Sequence, residues 1–212
     1  MRTLFKYGGI VASVMLIVAG AVSIGAGALG VMQVRNALSA EKIVGSPDMT
    51  PTAITAEAKD AGLNLATLDI PNQAVAGQTI DTGSEAQAFA GYMRIHALEA
   101  SGGQVYAEMG RFLDANGKAT NDEALAAKDP TGQPVQNQAR NLWVTETALT
   151  TALNTSFFAE RVGIFTLAIG GALLLTGIGF LVLVFRLPFE TSAVTEARRA
   201  KAVKAAAVPT PA

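Results

Sequence analysis

His96 is the only histidine in the chain, and Glu99 follows three residues later, so on a helix the imidazole and the carboxylate share a face. Such a pair can supply two ligands to a cation. A stable site takes three or four, and the remaining donors would all have to be carboxylates. On that ground His96 is read as a surface or packed histidine, and no metal and no cofactor are expected. The segment DANGKATNDEAL, from Asp114 to Leu125, has the residue types of a calcium loop. Its Gly117 falls at position four rather than six, however, and Leu125 stands where the bidentate glutamate should be. A plain turn is expected there. Serine and threonine are plentiful, but with one histidine a serine triad could rest only on His96 or on a lysine. Gly20, Gly25 and Gly27 lie in an apolar run rather than in a strand-to-helix turn, so they form no phosphate or dinucleotide loop. The chain has no cysteine, which excludes disulfides, thiolate metal sites and cysteine nucleophiles together. No catalytic, cofactor-binding or metal-ligating residue is assigned.

The element that must position everything else is the stretch from Asn137 to Arg186. A polar helical run, NQARNLWVTETALTTALNTSFFAER, leads without Gly or Pro into RVGIFTLAIGGALLLTGIGFLVLVFR. The uncharged part, Val162 to Phe185, reaches roughly 36 Å at the helical rise, enough to cross a hydrocarbon core of about 30 Å with some tilt. A second uncharged run, Tyr7 to Val34, follows Arg2 and Lys6. It can be read as a signal peptide cleaved after Ala26-Gly27-Ala28, or as a retained span. Its length, and its apolar continuation through Leu29, Val31 and Met32, favour retention.

Charge sets the expected orientation. Arg2 and Lys6 precede the first run, while Arg186, Arg198, Arg199, Lys201 and Lys204 follow the second. Basic residues near a membrane end stay on the cytoplasmic side, so both termini are expected in the cytoplasm. Arg35 and Arg161, at the outer ends, are outvoted. The segment between them is acidic. The expected layout is a cytoplasmic N-terminus (1–6), transmembrane helix 1 (7–34), an extracytoplasmic domain (35–160), transmembrane helix 2 (161–186) and a basic, disordered cytoplasmic tail (187–212). The basic tail residues could also meet anionic lipid.

Both runs are rich in small residues. Ala19, Ser23 and Gly27 recur every four residues, as do Ala168, Ala172 and Thr176, while Gly163, Gly171 and Gly179 recur every eight. Ser23, Gly27, Ala168, Gly171 and Ala172 are therefore the candidate helix-packing positions, because small side chains on one face let two backbones approach closely. No ionisable residue lies inside either run, which argues against a proton relay or an ion pathway.

In the outer segment the first helix is expected to run on to Gly45 and Pro47. A second starts at Thr50-Pro51 and stops at Gly62; a third is capped by Ser84 and ends at Gly102-Gly103. Leu63 to Thr82 reads as irregular, Tyr106 to Leu113 as ambiguous between helix and strand, and Asp129 to Gly132 as a turn. Arg140, Leu142, Trp143, Leu149 and Leu153 on the last helix form the candidate recognition surface. The competing reading packs the stripe on the Phe89 helix of the same domain.

MRTLFKYGGI, EKIVGSPDMTP, DTGSEAQAFAGYMRIHALEASGGQVYAEMGRF and NLWVTETALTTALNTSFFAERV, in that order, resemble a family of uncharacterised bacterial two-span membrane proteins, often labelled aromatic ring-opening dioxygenases. The resemblance covers most of the chain except the tail and implies a two-span fold. A non-haem ring-opening site takes something like two histidines and a carboxylate, and only His96 is available, so the family supplies no functional residues. The sequence thus predicts a mainly α plasma-membrane protein with two antiparallel transmembrane helices extended into a small helical outer domain. Its expected role is a structural or accessory module that meets the lipid bilayer and a membrane-protein partner or a second copy of itself, with no nucleic acid. The alternatives are a ligand-binding or sensing outer domain, with a polar cleft beside Trp143, and an iron dioxygenase.

Overall fold

The computed structural model describes residues 2–186 and 197–202. Two long helices dominate it: α1 (Arg2–Glu41) and α4 (Gln138–Arg186). Both are long and apolar enough to cross a membrane. Neither contains a proline, and their large side chains, among them Met15, Phe165 and Leu175, point outward. Between them lie α2 (Pro51–Asp60), a 3-10 turn (Leu65–Thr67), α3 (Gly83–Ala100) and a two-stranded hairpin of β1 (Phe112–Leu113) and β2 (Ala119–Thr120). The tail expected at 187–212 lies outside the described residues apart from 197–202, which are helical.

The chain divides into two compact units. The first, Met1–Gly25 with Thr166–Ala212, is a helix pair in which glycines set the approach. A methyl group built on Gly20 would lie 2.6 Å from the Leu174 backbone nitrogen, and one on Gly170 would lie 2.8 Å from that of Ile24. Gly177 faces Ser13 and Ile17, and Gly9 faces Val184, so the contacts run in opposite directions along the two helices. Ser13, fully buried, donates its hydroxyl to the Gly9 carbonyl at 2.7 Å, which removes the cost of burying it.

Within the helix pair these positions differ from the small-residue rows read from the sequence. Ala168 and Ala172 are exposed, and a side chain on Gly171 would meet nothing within 4 Å. Ser23 is half-buried, and only Gly27 of the five is fully enclosed, beside Gly163 in the second unit. The buried small residues, Ser13, Gly20 and Gly27 on α1 and Gly163, Gly170 and Gly177 on α4, recur every seven positions, not four. Seven residues complete almost two turns, the repeat that suits helices packed at a shallow left-handed crossing, whereas repeats of four suit the steeper right-handed one.

The second unit, Ala26–Phe165, comprises the small domain between the apolar runs and the adjoining ends of those runs. Its core gathers Leu38 from α1, Ile54 and Ala58 from α2, Val75 and Ile80 from the connecting segment, Phe89, Tyr92 and Ile95 from α3, and Leu153 from α4. Helix α1 stops at Glu41, earlier than the Gly45 stop read from the sequence, because Lys42 takes the left-handed conformation (φ 54°) that ends a helix. Thr50 caps α2 and Pro51 opens it, as the sequence indicates. Helix α3 is capped by Thr82 and not by Ser84. The Thr82 hydroxyl accepts from the Glu85 N–H while the Glu85 carboxylate accepts from the Thr82 N–H, a complete capping box. The ambiguous stretch before Leu113 resolves into turns and the short strand β1, and DANGK is the tight turn that joins β1 to β2.

Glu160 ties three helices together. Its carboxylate, 2% exposed as a residue, accepts from Arg35 Nε at 2.6 Å and from the Gly83 N–H at 2.9 Å. It therefore supplies a negative charge to the first turn of α3 from another helix. Glu160→Ala is expected to lower the domain's stability by about 1–3 kcal/mol, because the Gly83 N–H is buried and loses its acceptor. Glu160→Gln should recover part of that loss. Thermal melts of the two variants in parallel check both expectations.

Candidate functional site

Arg94 lies on the face of α3 that also carries Gln87, Gly91 and Leu98, spaced by three or four residues. Opposite it, α4 presents Glu146, Thr150 and Asn154, again four apart. The segment from Ala61 to Asp69, with Asn64 and Thr67, closes a third side. Together they line a cleft of about 790 Å³, within the size range of small-molecule sites.

The charged pair at the wall of this cleft is built from the inside out. Trp143 is 4% exposed and packs with Ala97 and Met109. The Arg94 guanidinium stacks over its ring, 4.1 Å from the centroid. Arg94 Nη1 donates to Glu146 Oε2 at 3.1 Å, and the Thr147 hydroxyl donates to the same oxygen. Glu146 is 2% exposed and its other oxygen has no hydrogen bond, while the Arg94 side chain keeps 46% of its surface open. A planar fork with five N–H donors, held over an indole and spending one donor on Glu146, is pre-oriented for a carboxylate or carbonyl oxygen. The hydroxyls and amides around it suit the neutral polar atoms of the same ligand.

Of the sequence-derived recognition stripe, Trp143 and Leu153 are buried and Leu149 packs against the main core. Arg140 is half-buried and stacks on Tyr106, 4.2 Å from the ring centroid. Only Leu142 is left out, 45% exposed. The stripe is therefore inner packing, because a small domain without disulfides needs its one tryptophan as core. Arg94 and Glu146 had no signal in the sequence, since their pairing joins residues on two helices far apart in the chain.

On a different face of α3, His96 meets carboxylates from two other elements. His96 Nε2 lies 2.8 Å from Asp48 Oδ2, in the loop before α2, and 3.8 Å from Glu57 Oε2 on α2. The nearer contact is an ion pair when the imidazole is protonated, although its angle departs from that of a ring N–H hydrogen bond. A hydrogen bond from Ser46 holds the Asp48 carboxyl below its usual range against the opposing effect of burial, with help from its own backbone N–H and His96. Burial pushes the Glu99 carboxyl up; His96 opposes this, and the charges of Glu57 and Asp48 reinforce it. The sequence pairs His96 with Glu99 alone. Asp48 and Glu57 reach it only through the packing of α2 on α3. In the DANGK turn, Asp114 Oδ1 accepts from the N–H groups of Asn116 and Lys118, as a turn-forming aspartate does.

No protein-family model, curated protein or solved structure matches the chain.

Proposed function

We propose that the chain is a two-span plasma-membrane protein, with both termini cytoplasmic, whose outer domain binds a small polar molecule bearing a carboxylate. The outward-pointing apolar side chains of α1 and α4 support the spans, and the basic residues flanking the two runs support the orientation. The two-span layout is also that of the family the sequence resembles. The observation that carries the binding role is the stacked Arg94 at the wall of the 790 Å³ cleft, half open to solvent and oriented by Trp143 and Glu146.

The test is thermal unfolding of the intact chain in mild detergent against a panel of amino acids, hydroxy acids and dicarboxylates. A true ligand present at 100 times its dissociation constant adds about 2.7 kcal/mol to stability, a readily measured rise in melting temperature. Asn154→Trp, a bulky substitution at the exposed lip of the cleft, should abolish that rise and leave the unliganded melt unchanged. A panel without a single stabilising compound would remove the carboxylate-binding role.

A second reading, an accessory module that docks on another membrane protein or on a second copy, draws support from exposed Leu142 and Val144 on α4. The row of Ala168, Gly171 and Ala172, left outside the helix pair, gives such a partner a close approach in the bilayer. Purification from native membranes followed by mass spectrometry separates the two: a stoichiometric partner protein supports docking.

A further inference from the structure

We propose that Asp48, Glu57 and His96, backed by Glu99, bind one divalent transition-metal ion, with Zn2+ the preferred occupant, and that this ion clamps α2, α3 and the loop before α2. One ligand atom from each of the first three residues lies within 4.8 Å of the others. A tetrahedral zinc ion with bonds near 2.1 Å holds its donors roughly 3.4 Å apart. The observed separations of 2.8 Å and 3.8 Å from the imidazole nitrogen bracket that value, so modest side-chain rotations would make room for an ion.

Two features separate this group from an ordinary ion pair. Glu99 Oε1 is enclosed and lacks a hydrogen bond, a costly condition for a buried polar atom unless something else satisfies it, while His96 Nε2 has only carboxylate oxygens, of Asp48 and Glu57, as its charged neighbours. The group also sets three carboxylates around a single imidazole, an imbalance that a dication removes and a lone protonated histidine does not. The donor set decides the metal. Imidazole nitrogen favours borderline transition ions over Mg2+ and Ca2+, and among these Zn2+ outranks Mn2+ and Fe2+ in intrinsic affinity. The role is structural, since the ion would join two helices and a loop in a domain that has no cysteine for a disulfide. The inference is independent of the cleft, which takes a different face of α3.

The test uses the intact chain, carrying an affinity tag free of histidine, in mild detergent and stripped with a chelator. Titration with ZnCl2 by calorimetry is expected to show one saturable site per chain, and Zn2+ should raise the melting temperature while Mg2+ does not. His96→Ala and the near-isosteric Asp48→Asn should each weaken Zn2+ binding by about 10-fold or more, given that even outer-shell losses cost 10–100-fold. Far-UV circular dichroism verifies that both variants fold, and the exposed Glu123→Gln serves as the control that keeps the wild-type titration. Co2+ substitution adds a visible spectrum that the His96 variant should lose. Absence of saturable Zn2+ uptake by the wild type, or uptake that survives both substitutions in folded protein, overturns the proposal.

Discussion

Gly170→Leu is expected to separate the paired halves of α1 and α4, whereas Gly171→Leu, one residue away, leaves them together. A first side-chain carbon at Gly170 falls 2.8 Å from the Ile24 nitrogen and 2.9 Å from the Gly20 carbonyl oxygen. Both are backbone atoms, which cannot rotate aside as a side chain can. Overpacking of this kind costs about 1–3 kcal/mol where side chains can adjust, and rigid backbone puts the expected cost at the upper end. At Gly171 the added carbon meets nothing within 4 Å. The absence of cysteine makes a clean reporter available. A carbon at Gly9 would touch Val184 at 2.8 Å, so a Gly9→Cys, Val184→Cys pair places two thiols across the seam. Its oxidation should proceed normally with Gly171→Leu and slow by roughly 10-fold or more with Gly170→Leu, since 1.4 kcal/mol is a factor of ten. Equal rates in the two backgrounds would mean that the glycines do not set the helix approach. A loss of higher-order species confined to Gly171→Leu would instead mark the outer row as a contact between copies.

Trp143→Ala should be the most damaging change in the second unit, Ala26–Phe165. The indole is buried against Ala97 and Met109 and also carries the stacked Arg94. Truncating a buried tryptophan costs about 3–5 kcal/mol through lost transfer energy and the cavity left behind. For a domain of this size that is a fall in melting temperature of about 10 °C or more. Trp143→Phe, which keeps most of the apolar volume, should lose much less. The same substitution leaves Arg94 a smaller ring with a weaker hold on its guanidinium, so stabilisation by the proposed carboxylate ligand should weaken in Trp143→Phe even where the fold survives. An unchanged melt for Trp143→Ala, with loss of a co-purifying protein, would return Trp143 to the recognition role that its position on the stripe suggested.

The local devices were legible because each is written in a few adjacent residues. Thr50-Pro51 opens α2, Gly62 and Gly102-Gly103 stop helices, and Asp114 to Lys118 turns a hairpin. The cap of α3 lies two residues before Ser84, because Thr82 and Ser84 are both competent cap residue types. The capping box with Glu85 at the third helical position decides for Thr82. Helix α1 ends at Glu41, before the Gly45 stop that the residue types indicate, since nothing in the residue type of Lys42 signals a left-handed backbone.

Hydrophobic runs and chain-local charge determined, from the sequence alone, that two helices long and apolar enough for a membrane flank a small domain, because length and polarity are sums over neighbours in the chain. The tertiary structure decided what those sums cannot hold. It chose the seven-residue glycine seam over the four-residue rows, because the choice depends on how two helices cross and both repeats are present on each. It brought Glu160 to the first turn of α3, Arg94 to Glu146, and Asp48 and Glu57 to His96. Each of these contacts joins residues of different elements, and their chemistry exists only once burial has removed the water that would otherwise satisfy every one of them separately.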